Sequence, residues 1–285
     1  MVRISKFLAE CGFGARRKSE EIVLSGKVMV NGQVIKDLAR MIDPESDRVQ
    51  VRGKFINQIE KGVLLLNKPR GVVSTLSDPQ HRRTIVEYLT KHYSNYFPVG
   101  RLDYDSSGLV ILTNDGDLAN MLLHPRYGCE RIYEVRVKGS VNVKTLERLK
   151  RGVKITEVPY VPKNFKEEPE EVEVKPKKIY KSEEFKNLLP SPVSAPRPPK
   201  QRAVRGAAKI VSSDEGNTWL HISVDEGKNR MVRRMFEQVG HPVIKLKRIQ
   251  HGPIKLGNLS VGQVRKLTFE EYKKLKKSVD SFVKK

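Results

Sequence analysis

The sequence predicts an α+β fold: a small N-terminal module, then a mixed, largely antiparallel sheet with flanking helices and a cleft crossing it. Three observations carry this expectation. Residues 131–138 and 219–224 alternate apolar and polar side chains, the period of a half-buried strand. Residues 109–112 are an unbroken aliphatic run, as in a strand covered on both faces. Val232, Met235, Phe236 and Val239 recur at i, i+3, i+4 and i+7, the stripe of a helix laid on such a sheet.

At 285 residues the chain has room for about two domains. Its formal net charge of +22 points to a polyanionic partner, either nucleic acid or an anionic membrane surface. No run reaches the ~18 apolar residues of a membrane span, and the N-terminus lacks the apolar core of a signal peptide. Cys11 and Cys129 are the only cysteines, which excludes a disulfide framework and a zinc quartet of paired cysteines. A cytoplasmic protein facing nucleic acid is the economical expectation. The basic residues are spread along the chain rather than gathered on an amphipathic anchor, which disfavours a membrane-surface binder.

In residues 1–60, Ile4, Phe7, Leu8 and Cys11 form one apolar helix face, ended by Gly12 and Gly14. A second helix runs from Arg16 to its stop at Gly26, with Ile22 and Val23 inward. Asn31-Gly32 between two short apolar stretches predicts a hairpin closed by a type I′ turn. Arg3, Lys6, Arg16, Arg17, Lys18 and Lys27 crowd the helices and the hairpin entry, a surface suited to a folded RNA backbone.

Residues 61–285 form the expected second domain. Residues 63–66 read as a buried strand, and 67–71 turn out of it, where Lys68 and Arg70 are placed to touch RNA. Thr84 is a helix-capping candidate. The centre is FPVGRLDYDSSGLVILTNDG, residues 97–116: Asp103 sits on a loop of Gly and Ser residues feeding the aliphatic strand, where a rigid scaffold can hold a carboxylate in a cleft. Residues 117–123 predict a helix ending at His124-Pro125. On the strand at 131–138, Tyr133 shares the apolar face with Val135 and Val137, so its ring is buried. Residues 157–207 hold nine of the sixteen prolines among Lys and Glu and read as a flexible insertion. On the helix that follows, Arg233 borders the apolar stripe and wants a carboxylate partner, while Arg230 and Arg234 project toward solvent.

Two resemblances follow. ISKFLAECGFGARRKSEEIVLSGKVMVNGQVI resembles the small RNA-binding domain of the ribosomal-protein S-four type. GRLDYDSSGLVILTNDG, RIYEV, EGKNRMVRRMFEQVGHPV and LSVGQVRKL, in that order, resemble the pseudouridine synthases, in particular the ribosomal RNA branch that carries such an N-terminal domain. The resemblance implies Asp103 as the catalytic carboxylate, Tyr133 against the target uracil as acceptor of the C5 proton, and Arg233 as ionic partner of the carboxylate. It further implies Leu267 as a pocket-lining residue and Arg101 as the side chain that fills the gap left by a flipped base. Arg230 is placed near the substrate. Neither a metal nor an organic cofactor is implied.

KNRMVRR and HPRYG lean toward the large-subunit ribosomal RNA branch, with small-subunit RNA as the alternative and assembling ribosomal particles as a further substrate form. A monomer is expected. The rival from another class is a non-catalytic ribosomal RNA-binding or assembly factor in which Asp103 only caps a turn.

Overall fold

The computed structural model describes residues 1–156, 201–214 and 216–283. Two sheets dominate, and each follows from the patterns above. In the N-terminal module the helices Ile4–Glu10 and Arg16–Leu24 lie against a four-stranded antiparallel sheet ordered Gln33–Ile35, Val28–Val30, Val49–Val51, Lys54–Phe55. Ile4, Phe7, Leu8 and Val23 meet Val28, Val30, Val49 and Val51 in a core of their own. The hairpin turns on Asn31 at φ 52° and Gly32 at φ 82°, the two left-handed residues that a type I′ turn demands.

The large sheet runs Ala207–Asp214, Asn217–Val224, Arg131–Lys138, Val243–His251, Ser107–Thr113, Val63–Lys68, Val264–Lys266. All neighbours are antiparallel except one: Val243–His251 meets Ser107–Thr113 in parallel, through Lys247 opposite Ser107 and Arg248 opposite Gly108.

Both faces of this sheet are covered, which explains the aliphatic runs at its centre. Val110 and Leu112 point into a core shared with Val135, Leu220 and the helix Met231–Gln238. Leu109 and Ile111 point to the opposite face, against Leu118 and Leu122 of the helix Gly116–Leu123 and Leu275 of the helix Phe269–Val283. Asp115 caps the helix Gly116–Leu123 by accepting from the backbone N–H groups of Asp117 and Leu118. Thr84 caps only a single 3₁₀ turn, Ile85–Tyr88.

Two expectations about chain path need correction. Residues 201–204, inside the expected insertion, form the strand Gln201–Val204, which pairs with Val153–Thr156 from Val153 opposite Val204 to Thr156 opposite Gln201. Residues 157–200 of that insertion lie outside the described residues. Asn67 and Lys68, expected in a turn, complete the strand Val63–Lys68 and are buried. The turn begins only at Pro69, because Asn67 is still needed inside the sheet: its amide N–H and carbonyl bond the backbone of Gln263 and Gly262.

The two cores are joined by polar contacts. Lys6 Nζ lies 2.8 Å from an Asp117 carboxylate oxygen, and the Ile59 N–H donates to the Glu10 carbonyl. Asn114 accepts from the Gly62 N–H and donates to the Glu60 carbonyl, fixing the connecting segment from the side of the large sheet. Among the described residues no helix is long and apolar enough to cross a membrane.

Candidate active site

The loop of residues 101–106 runs into the strand Ser107–Thr113 at the one parallel seam of the sheet. Its backbone is held at several points. Ser74 Oγ donates to the Leu102 carbonyl at 3.0 Å and accepts from the Leu102 N–H at 3.1 Å. The Gly71 N–H donates to the Tyr104 carbonyl, and the Ser106 N–H donates to the Asp103 carbonyl. At Gly108 a Cβ atom would stand 2.7 Å from the Arg248 backbone nitrogen and closer still to its carbonyl oxygen, and φ is +105° there. Only glycine lets the two strands come that close. Asp103 is thereby carried on a rigid turn.

Asp103 lines a cavity of about 200 Å³, together with Arg101, Tyr133, Arg230 and Leu246. Burial pushes the Asp103 carboxyl up from the ordinary aspartate range; Arg230 opposes this, Asp105 adds to it, and Arg233 and Lys68 pull back. An ionised carboxylate in this cavity therefore depends on the cations around it.

The cations are arranged differently from the sequence expectation. The direct ionic partner of Arg233 is Asp105, not Asp103. Arg233 Nε is 3.3 Å from an Asp105 carboxylate oxygen, and its Nη2 donates to the Asp105 carbonyl at 2.9 Å. Arg230 does not project into solvent: Nη1 donates to both Asp105 carboxylate oxygens, at 3.1 and 3.0 Å. Its backbone explains the difference. Arg230 is the N-cap of the helix Met231–Gln238 at φ 50°, outside the helical register that a wheel assumes. Arg233 stands on the helix as expected, bordering Val232 and Phe236, and is nearly buried.

Lys68 is not a surface contact for RNA. It is fully buried, its ammonium donating to the Pro69 and Val72 carbonyls at 2.9 and 2.8 Å. Burial lowers its pKa to about 7, against the pull of Asp103 and Asp105. Arg70, by contrast, is exposed. Leu267 does not line the cavity; it packs with the cluster around Leu65 and Ile111 on the other side of the sheet. Tyr133 is buried in the apolar core and also borders the cavity.

Several residues of the cavity escaped the sequence reading. Arg131 and Arg248 are buried arginines spent on backbone carbonyls: Arg131 on Leu122 and Asp225, Arg248 on Leu109. Glu226 is a second carboxylate on the wall, 3.4 Å from Lys228. For Asp105 a signal was present, since two aspartates two residues apart on a buried loop require cations.

Of the basic residues in the N-terminal module, Arg3, Arg16, Arg17 and Lys27 are exposed. Lys18 pairs with Glu21 at 3.0 Å, and Lys6 is committed to Asp117.

The comparisons with known proteins agree with this architecture. Residues 2–49 match the S4 domain and residues 62–238 match RNA pseudouridylate synthase. An uncharacterized RNA pseudouridine synthase of Aquifex aeolicus is 39% identical over 279 residues, covering 98% of this chain and 95% of the relative. The ribosomal large subunit pseudouridine synthase B of Bacillus subtilis is 35% identical over 282 residues, covering 98% of each. A crystal structure of a pseudouridylate synthase superposes with a TM-score of 0.56 at 25% identity, covering 96% of this chain and 100% of that one. An S4 domain joined to this sheet, with an aspartate on a cavity at its parallel seam, places the chain in the RNA pseudouridylate synthase family, as an isomerase acting on RNA.

Proposed function

We propose that this protein isomerises a uridine of large-subunit ribosomal RNA to pseudouridine, with Asp103 as the catalytic carboxylate. The observation that carries this reading is the position of Asp103 in GRLD, on the wall of a cavity beside Tyr133 and Arg230. The net reaction breaks the N1–C1′ bond, forms C5–C1′, releases the C5 proton and protonates N1. Stacking and pairing shield these atoms, so the nucleotide has to be turned out of the RNA into a pocket. Arg101, exposed at the mouth, is suited to the space the base leaves.

An ionised Asp103 serves either as nucleophile at C1′ or as the base that generates a glycal. Both routes need a carboxylate kept charged while partly desolvated, and the Arg230–Asp105–Arg233 cluster provides the positive potential. Tyr133 stands on the cavity wall as the acceptor for the C5 proton. The relatives named for the large ribosomal subunit support that RNA as substrate. The proposal extends to a cytoplasmic monomer acting on free RNA or on assembling particles.

The test is to incubate unmodified large- and small-subunit ribosomal RNA with the wild type and Asp103→Asn, then map pseudouridine by carbodiimide-blocked primer extension. A new stop on large-subunit RNA with the wild type alone is expected. A stop confined to small-subunit RNA would reassign the substrate. Binding without a stop on either RNA, or on assembling particles, would favour the non-catalytic binding factor.

A further inference from the structure

The turn after the helix Gly116–Leu123 carries the HPRYG sequence, which has no part in the chemistry above. It forms a 3₁₀ turn, Pro125–Tyr127, closed by Gly128 at φ 57°. Its side chains brace one another. The Arg126 guanidinium lies over the Tyr127 ring, 4.4 Å from the centroid, and also donates to the Tyr127 hydroxyl. The His124 ring meets the edge of Tyr127 at a centroid distance of 6.0 Å and an interplanar angle of 70°. His124 Nδ1 accepts the Arg126 backbone N–H at 3.2 Å, which fixes the imidazole as the cap of the turn.

This cluster stands at the cavity mouth. Leu123 and Pro125 line the same cavity as Asp103, and Leu123 leans onto Gly100, next to Arg101. His124, Pro125 and Arg126 are exposed and Tyr127 is half-buried. Among the described residues no carboxylate lies within ion-pair distance of Arg126, so its charge is offered outward. Planar cationic and aromatic groups held in contact, at the lip of a pocket that receives a flipped base, match the chemistry of unstacked nucleotides.

We propose that the turn 124–127 is a stacking platform that holds the nucleotide adjacent to the flipped uridine. The proposal rests on the reading of the protein as a uridine isomerase and adds to it a second subsite, for a neighbouring base. When the uridine leaves the stack, its neighbour loses one stacking surface, and the Arg126–Tyr127 pair supplies another. The platform accepts any base by its face, so it secures the open RNA and leaves the choice of uridine to other contacts.

The experiment uses the full-length protein and a synthetic RNA spanning the uridine located by primer extension. 2-Aminopurine replaces in turn its 5′ and its 3′ neighbour, and its fluorescence falls when the base is stacked. Complexes are formed with Asp103→Asn, to prevent turnover. At one of the two positions, fluorescence is expected to be at least about twofold lower with Tyr127 in place than in the added Tyr127→Ala, and Tyr127→Phe should keep the low signal, because stacking needs the ring and not the hydroxyl. With Asp103 intact, Tyr127→Ala is expected to raise KM about tenfold with little change in kcat.

Arg126→Ala, an exposed position, should raise KM in the same direction and provides the test if Tyr127→Ala fails to fold. Equal fluorescence with and without the Tyr127→Ala substitution at both positions, or an unchanged KM in both alanine variants, would overturn the platform. A wild type that converts no uridine in any ribosomal RNA would instead overturn the underlying function, an outcome that the primer extension reads before any fluorescence is measured.

Discussion

Asp105 grips Arg230 through both carboxylate oxygens and Arg233 through one, while Asp103, two residues earlier on the same loop, is left facing the cavity. The two aspartates thus divide the work. One neutralises and fixes the guanidinium groups; the other feels their field without being tied to them.

Removing Asp105 should therefore damage the fold more than removing Asp103. Asp105→Asn removes the carboxylate that Arg230 and Arg233 share, and breaking such a cluster typically costs about 3–5 kcal/mol. Urea denaturation is expected to show a loss of that order. Asp103→Asn should leave the midpoint near the wild-type value, since burial already disfavours its charged form. Its pseudouridine formation should be abolished with RNA binding intact.

Lys68 gives a prediction about pH. The proposed role of Asp103 needs its ionised form, and its carboxyl is pushed above the usual aspartate range, so kcat/KM should fall in acid with its limb above pH 3.8. Lys68 is one of the cations holding that carboxyl down, and Lys68→Met should move the limb to still higher pH. The stability effect has its own sign. The folded Lys68 has its pKa near 7 against an ordinary 10.5, so between these values the unfolded chain binds the extra proton. Stability therefore rises with pH across that window, and the rise should be missing in Lys68→Met. Urea titrations at pH 7 and pH 9 compare the two.

Gly108 tests the seam. A methyl group there meets the Arg248 backbone on a residue whose φ of +105° already disfavours any side chain. Gly108→Ala should cost about 3 kcal/mol or more, from overpacking and backbone strain together. Because the seam supports the Asp103 loop, any folded fraction should also lose kcat, measured by single-turnover conversion.

The N-terminal module should bind RNA through its uncommitted cations. Arg16→Ala and Arg17→Ala are each expected to lower the slope of log Kd against log salt by about one. Lys6→Ala should have a smaller effect, because Lys6 is paired with Asp117. Filter binding across a salt series reads all three.

Much of the fold was legible because it depends on local periodicity. The strand Arg131–Lys138 and the Asn31-Gly32 hairpin are written in alternation and turn chemistry, and both stand where the sequence puts them. The location of Asp103 was legible for the same reason, as a shaped loop before an aliphatic run. What escaped depends on partners distant in sequence. Lys68 reads as a turn residue because lysine is seldom buried, and its burial is possible only because the chain brings the Pro69 and Val72 carbonyls around its ammonium. Asp105 and Arg230 are 125 positions apart, and no helical wheel anticipates a left-handed cap. Leu267 is assigned to the pocket by resemblance alone. The strand that leads into it, Val264–Lys266, is too short for alternation to fix a side, and the side chain packs on the opposite face of the sheet.

The pairing of Thr156 with Gln201 has a consequence for how this chain tolerates change. Residues 156 and 201 adjoin across one two-stranded ribbon, clasped along its length from Val153 opposite Val204. The register of the large sheet is set elsewhere: every paired position it has among the described residues lies before residue 157 or after residue 206. A change of chain length between residues 156 and 201 therefore re-indexes no strand pairing of the large sheet, because the ribbon itself fixes how far apart the two points stand.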